Sequence, residues 1–268
     1  KLGNVAYVGV EKVNGDTLID KVGNVIIAEG KDVTVTTSVE SLSLGKVENV
    51  GIAKVNGDTV INEASQNVHI VDGKNVSVGS AGSLTLGKVA DVGVAKVGGE
   101  TIIEEAGNVT IAEGKNVTVI TSADSLSVGK ADNVYAAKVN GDTVISEASQ
   151  NVYIEDGQDV SIGSVGSLNV DRLDGNLTVA QVGETVISSV AGDIIIGTAS
   201  ENVSVSNSSS ATVANASGDI SATDVANGLN VGNVGNVNVS NTDVNVLDGG
   251  TVVGDIVSST DFTLTNGG

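Results

Sequence analysis

The sequence lacks several residues on which most folded domains depend. It contains no Pro, Cys, Met or Trp, and its 268 residues include three Tyr and one Phe. The absence of Cys excludes disulfide bonds and thiol chemistry. Aromatic side chains normally supply much of the buried volume of a domain of this size. The apolar 40% consists almost entirely of Val, Ile, Leu and Ala, so the sequence predicts a thin core rather than a broad sandwich or barrel.

Basic residues and long apolar runs are also scarce. Acidic residues outnumber basic ones 33 to 13, for a net charge of −20. Nucleic acid is therefore disfavoured as a partner, because it requires a basic face. No apolar run approaches the roughly 18 residues of a membrane helix, so we expect no membrane insertion. The chain begins at Lys1 rather than Met, which predicts a processed, mature form.

The residues needed for catalysis are equally limited. The single histidine, His69, stands between Val68 and Ile70, so alternation along a strand points it outward. One His and no Cys leave no material for a zinc site or for Ser–His or Cys–His catalysis. Paired carboxylates remain, but the sequence offers regular repetition and a single Arg172 rather than an irregular cluster. We therefore predict that the protein is not an enzyme and needs no cofactor.

A repeat of about 42 residues organises most of the chain. The motif Val-Asn-Gly-Asp-Thr, or a close variant, places a threonine at Thr17, Thr59, Thr101, Thr143 and Thr185. Within each copy, segments such as Val33-Thr34-Val35 and Leu42-Ser43-Leu44 alternate apolar and polar residues and are followed by turn residues. This pattern predicts five short, half-buried strands in each copy.

Alternate copies resemble each other most closely. Residues 17–46 match residues 101–130 at 20 of 30 positions, and residues 59–88 match residues 143–172 at 19 of 30. The structural period is therefore two copies, about 84 residues and ten strands. An odd number of strands in each copy places equivalent segments of successive copies on opposite faces. We predict an all-β, parallel β-solenoid with two-faced coils of about 17 residues. The alternatives are three-sided coils of about 21 residues and a five-bladed propeller.

The repeat fades in the last third of the chain. Residues 1–186 are predicted to form the regular solenoid, and residues 187–268 a degenerate continuation of it. The later region keeps segments such as Val203-Ser204-Val205 but becomes richer in Ser and Asn and poorer in charge.

One acidic position recurs in the turn of every copy. Its members are Asp16, Asp58, Glu100, Asp142 and Glu184. Lysines precede four of them at a fixed offset, at Lys12, Lys54, Lys96 and Lys138. The pattern predicts a local ion pair across each turn; the alternative is a Ca²⁺ site, although the glycine-rich nonapeptide of calcium-binding β-rolls is missing.

Segments such as Gly23-Asn24-Val25-Ile26-Ile27-Ala28-Glu29-Gly30 and their counterpart from Gly107 to Gly114 recur along most of the chain. Their Gly-Asn-apolar-x-apolar pattern resembles the repeats of filamentous-haemagglutinin-type adhesins. The resemblance implies a right-handed parallel β-helix, secretion, and a role in adhesion or surface filaments.

These observations lead to one functional expectation and one alternative. A stack of strands ends in open edges that recruit further strands. We expect an extracellular, cell-surface structural protein that polymerises end to end with itself or forms an adhesin stalk. The joint would lie at the terminal coils, around Val5, Tyr7, Val8, Phe262 and Leu264. The alternative is a binding module that uses a flat face for ice or polysaccharide, such as that of a host surface.

Overall fold

A computed structural model describes residues 5–260 and 263–266, which contain 19 β-strands and no helix. The chain divides into two compact units, residues 1–131 and 132–268. The change in composition near residue 187 falls inside the second unit.

In the described residues, the first unit contains seven strands. They are β1 (Val5–Lys12), β2 (Thr17–Glu29), β3 (Asp32–Val47), β4 (Asn49–Lys54), β5 (Asp58–Val97), β6 (Glu100–Glu113) and β7 (Asn116–Ala131). Strand hydrogen bonding continues around the corners of the coil, so the 40 residues of β5 pass through more than two turns.

The second unit contains twelve strands in the described part of the chain. They are β8 (Asn133–Lys138), β9 (Thr143–Gly157), β10 (Val160–Leu173), β11 (Leu177–Ile187), β12 (Val190–Ala199), β13 (Val203–Ala216), β14 (Ile220–Val225), β15 (Leu229–Val234), β16 (Val237–Ser240), β17 (Val244–Val252), β18 (Ile256–Ser258) and β19 (Leu264–Asn266).

Both units are β-solenoids made of parallel turns. The described residues form about 15 turns of roughly 17 residues each. In the first unit, residues 25–27, 42–44 and 59–61 pair in one stack. Residues 33–35, 50–52 and 68–70 pair in a second stack. Each turn therefore has two faces, as the ten-strand period predicts.

The threonines of the repeat test the prediction that successive copies alternate between faces. Thr17 pairs with Val33 in the second of these stacks, whereas Thr59 pairs with Leu42 in the first. The prediction is confirmed, because one copy of the repeat spans two and a half turns and not a whole number of turns.

Burial alternates along most strand segments. In residues 42–44, Leu42 and Leu44 are buried and Ser43 points outward. The large side chains that are fully buried are all Ile or Leu, among them Ile61 and Ile111. Burying one such side chain contributes about 1.5–3 kcal/mol. The core is thin because each turn supplies only a few aliphatic residues to it.

Polar side chains just before the strand segments form hydrogen-bonded rows from turn to turn. Asn49 Nδ2 donates to Asp32 Oδ1 at 2.7 Å, and Asn67 Nδ2 donates to Asn49 Oδ1 at 3.2 Å. Ser83 Oγ then donates to Asn67 Oδ1 at 2.6 Å. These rows fix the register of the turns, because an amide or hydroxyl has to meet an acceptor at the same position one turn away.

Candidate functional site

The outer edge of β1 is the first candidate site. Within the described residues β1 pairs with β2 and with no other strand. Its inward residues Val8 and Val10 are only half-buried, whereas Val25 and Ile27, one turn further along, are each 1% exposed. Within the part of the chain that the structure describes, this edge of β1 is therefore unpaired and its inward side chains are partly exposed.

The predicted assembly residues occupy different surroundings. Val5 is 39% exposed and Tyr7 is 58% exposed, both on β1. Leu264 lies on the short strand β19 and is 53% exposed. Phe262 lies outside the described residues.

The five recurring acidic residues are not brought together. Because successive copies alternate between faces, the members of neighbouring copies never stack on one another. Their neighbours in the stack include amides and hydroxyls: Asp58 Oδ1 accepts a hydrogen bond from Asn75 at 2.7 Å, and Glu100 is in register with Asn116. In the described residues no three His, Cys, Asp or Glu side chains form a group suited to a metal ion. Calcium binding at these positions stays a prediction that their placement does not support.

The lysines and acids of the first unit instead form charge ladders along its corners. The first ladder runs through successive turns as Lys12, Glu29, Lys46 and Glu63. Lys12 Nζ lies 2.8 Å from Glu29 Oε2, and Lys46 Nζ lies 3.5 Å from Glu63 Oε2. The hydrogen bond and positive charge of Lys12 lower the pKa of Glu29.

Other corners repeat this arrangement. The further pairs are Lys54 with Asp72 at 2.6 Å, Lys88 with Glu105 at 2.9 Å, and Lys96 with Glu113 at 2.8 Å. In the second unit, Arg172 Nη2 lies 2.6 Å from Asp156 Oδ2.

The expectation of local ion pairs across each turn is therefore wrong. Lys12 bonds to Glu29 rather than to Asp16. Residues one turn apart are neighbours at about 4.8 Å in a parallel stack. Lys12 and Asp16 are separated by the bend at Asn14 and Gly15, whereas Glu29 lies in register with Lys12 on the next turn and offers its carboxylate directly.

The outward residues of the faces do not form a continuous rank. His69 is exposed, which confirms the prediction that it points outward. In the same stack Thr34 has Leu18 on one side and Gly51 on the other. The placement of these residues therefore gives no support to ice binding through a threonine rank.

An aromatic pair was not anticipated from the sequence. Tyr135 and Tyr153 face each other from adjacent turns, with ring centroids 5.5 Å apart and ring planes at 48°. The hydroxyl of Tyr135 donates to Glu155, and that of Tyr153 donates to Asp171 at 2.5 Å. The available signal was the separation of the two tyrosines along the chain, which is close to the length of one turn.

No family model matches the chain, and no match was found among the curated proteins or the solved structures. The class defined by the fold is a parallel β-solenoid. Among the described residues, no helix has the length and apolar character required to cross a membrane.

Proposed function

We propose that the chain is an extracellular structural protein that assembles end to end into filaments or forms the stalk of a surface adhesin. The observation that carries this proposal is the stack of parallel turns in register, and within the described residues Val8 and Val10 at the outer edge of β1 are only half-buried. An unpaired strand edge is a template for another strand. A head-to-tail contact that does not close into a ring propagates as a filament.

The alternating signs of the charge ladders support a role in stacking. Because lysine and glutamate alternate from Lys12 to Glu63, a stack displaced by one turn would place like charges against each other. Each exposed pair contributes only a fraction of a kcal/mol. Their larger effect is on register, since the repulsion disfavours the wrong alignment.

The even distribution of polar contacts also favours a structural role. The charge ladders and amide rows recur at equivalent positions in successive turns, whereas a catalytic site requires a unique constellation of groups. A surface built by repetition is suited to a load or a contact that is shared along its length.

Negative-stain electron microscopy of the purified chain, concentrated with and without Ca²⁺, tests the proposal. We expect fibres from the unaltered chain. Val8→Lys combined with Val10→Lys should abolish them, because charges at a strand edge block further pairing. Glu11→Lys, an exposed change on the same strand, is the matched control and should still form fibres.

Two results would contradict end-to-end assembly and leave only the adhesin stalk. One is a chain that stays monomeric at high concentration under both conditions. The other is fibre formation that persists in the Val8→Lys, Val10→Lys variant. Circular dichroism of each variant checks that the fold is retained, so that loss of fibres is not loss of structure.

A further inference from the structure

Tyr135, Tyr153, Glu155 and Asp171 form a compact group on the outward side of the second unit, which we call the tyrosine cluster. Tyr135 and Tyr153 lie in register on β8 and β9, and both side chains are half-buried. The chain has only three Tyr and one Phe, so two rings in contact are a large share of its aromatic surface.

Each tyrosine is oriented by a carboxylate of the following turn. Tyr135 donates its hydroxyl proton to Glu155, and Tyr153 donates to Asp171 at 2.5 Å. The hydrogen bond to Asp171 raises the pKa of Tyr153 to about 12, and the bond to Glu155 raises the pKa of Tyr135. The phenols therefore stay protonated and neutral at physiological pH, and both rings are held beside anionic groups.

The two carboxylates of the cluster carry negative charge without a basic partner. Within the described residues neither Glu155 nor Asp171 forms an ion pair with a lysine or arginine. The adjacent Asp156, by contrast, accepts two hydrogen bonds from Arg172. Arg172 Nε donates to Oδ1 at 3.2 Å, and Nη2 donates to Oδ2 at 2.6 Å. Lys138 is also in register with Asp156. The guanidinium of Arg172 is thus directed to Asp156 and not to Glu155 or Asp171.

The internal repeat shows that the cluster is specific to this unit. Residues 143–172 match residues 59–88 at 19 of 30 positions. The members of the cluster are nevertheless all replaced at the equivalent positions of the earlier region. The residues that correspond to Tyr135, Tyr153, Glu155 and Asp171 are Gly51, His69, Val71 and Gly87. The shared scaffold therefore does not require this combination of aromatic and acidic groups.

We propose that the tyrosine cluster binds an organic cation of the ammonium or guanidinium type. Such a group gains from the electron-rich face of an aromatic ring and from the two carboxylates that lack a basic partner. A neutral sugar could stack on the rings and donate hydroxyl hydrogen bonds to the carboxylates, but it would gain no charge–charge attraction from them. The net charge of −20 also raises the concentration of cations near the surface.

Ligand-observed NMR with tetramethylammonium chloride, titrated at constant ionic strength, tests this proposal on the full chain. We expect saturable binding. Glu155→Gln combined with Asp171→Asn keeps the side-chain shapes and hydrogen-bond acceptors, and it should weaken binding about fivefold or more. Tyr135→Leu combined with Tyr153→Leu should have an effect of the same size.

The control variant removes two charges from the same unit at exposed positions outside the cluster, Glu184→Gln with Glu201→Gln. It should bind tetramethylammonium as the unaltered chain does. N-acetylargininamide, a guanidinium probe, should bind with the same dependence on Glu155 and Asp171.

Three results with the cation probes would overturn the proposal. They are no saturable binding of either probe, equal losses in the cluster variant and the charge-matched control, and binding that survives Glu155→Gln with Asp171→Asn. Saturable binding of the neutral disaccharide maltose that is unchanged in that variant would also overturn it in favour of a sugar site. These results are independent of fibre formation, which depends on the edge of β1.

Discussion

The second unit joins its turns with two different kinds of corner. In the earlier kind, Arg172 and Asp156 lie within extended strands and pair opposite charges across turns. In the later kind, the corners carry Asn207, Asp224 and Asn241, whose φ angles are 50°, 54° and 48°. Asn241 Nδ2 donates to Asp224 Oδ1 at 2.9 Å, so these corners are also linked from turn to turn.

The comparison teaches that one stack can be held by either of two sets of side chains. Long charged side chains reach across turns from extended backbone. Asn and Asp are short and tolerate the left-handed backbone conformation better than other residues with a Cβ. The loss of charge after residue 187 therefore accompanies a change in corner conformation and not a loss of linkage.

Both regions contain a glycine that packs against the backbone of the preceding turn, and substituting it should change the free energy of unfolding most. A Cβ added to Gly163 would lie 2.3 Å from the carbonyl oxygen of Ser146, and one added to Gly232 would lie 2.2 Å from that of Ala214. Both contacts are with backbone of the preceding turn, which cannot move aside easily. We expect Gly163→Ala and Gly232→Ala each to reduce the free energy of unfolding by about 2 kcal/mol or more in urea titrations.

Gly93→Ala is the matched control, because a Cβ there meets no atom of the described chain within 4 Å. It should be neutral or slightly stabilising. Gly163→Ala or Gly232→Ala as stable as this control would show that the turns are not in such close contact.

The left-handed corner can be broken on its own. A β-branched residue at φ near 50° is strained, so Asn207→Val should cost about 1–2 kcal/mol. The side chain of Asn207 also donates a hydrogen bond from Nδ2 to the carbonyl oxygen of Ser188 at 3.1 Å. The valine variant would lose that bond. Glycine tolerates this backbone angle, so Asn207→Gly should lower the melting temperature less than Asn207→Val does.

Lys138→Val introduces the same β-branched side chain at a corner with extended backbone. It should change the free energy of unfolding by no more than about 0.5 kcal/mol. Equal costs for Asn207→Val and Lys138→Val would remove the distinction between the two kinds of corner.

Replacing a buried hydroxyl group should stabilise the fold, whereas the substitutions at the glycines and at Asn207 destabilise it. Thr185 is 1% exposed and stacks between Leu168 and Val203, and its Oγ1 has no hydrogen-bond partner among the described residues. Thr185→Val should therefore raise the free energy of unfolding by about 1 kcal/mol. The exposed Thr178 on the same strand supplies the control, since Thr178→Val should not stabilise the chain; destabilisation by Thr185→Val would mean that its hydroxyl is bonded.

The smallest expected effect on stability is the weakening of the charged corners by acid. The hydrogen bond and charge of Lys96 lower the pKa of Glu113 from 4.5. A folded-state pKa below the unfolded one stabilises the fold above about pH 4.5, and this contribution is lost as the pH falls through the folded value. Hydrogen exchange corrected for its intrinsic rate should therefore show less protection around β6 at pH 3 than at pH 7.

Glu113→Gln is expected to remove most of that local pH dependence. In the described structure the corner at Asn207 has no ion pair to lose, so it should change less between the two pH values. A larger acid effect at Asn207 than around β6 would contradict the assignment of charge pairing to the earlier corners.

The sequence predicted the two-faced coil because its signal is local and repeated. The alternation around Leu42 and Leu44 identifies inward residues, and an odd number of strands per copy requires alternate copies to occupy opposite faces. The prediction that Thr17 and Thr59 lie on different faces was confirmed. Each of these inferences needed only the order of apolar residues.

Contacts between outward side chains could not be predicted in the same way. The step from one turn to the next is not constant, since the step from Val50 to its partner Val68 is longer than the step from Thr17 to its partner Val33. A shift of one residue exchanges the inward and outward sides of a strand. For this reason Lys12 was assigned to the wrong carboxylate, and the contact between Tyr135 and Tyr153 was missed.

The sequence alone therefore determined the class of fold, the length of a turn and the side of each strand that faces the core. Hydrophobic burial acts on every residue individually and leaves its record in the local pattern. The tertiary structure decided which side chains meet across turns, including the charge ladders, the left-handed corners and the tyrosine cluster. Those contacts depend on the sum of small differences in turn length, which is set only when the turns stack.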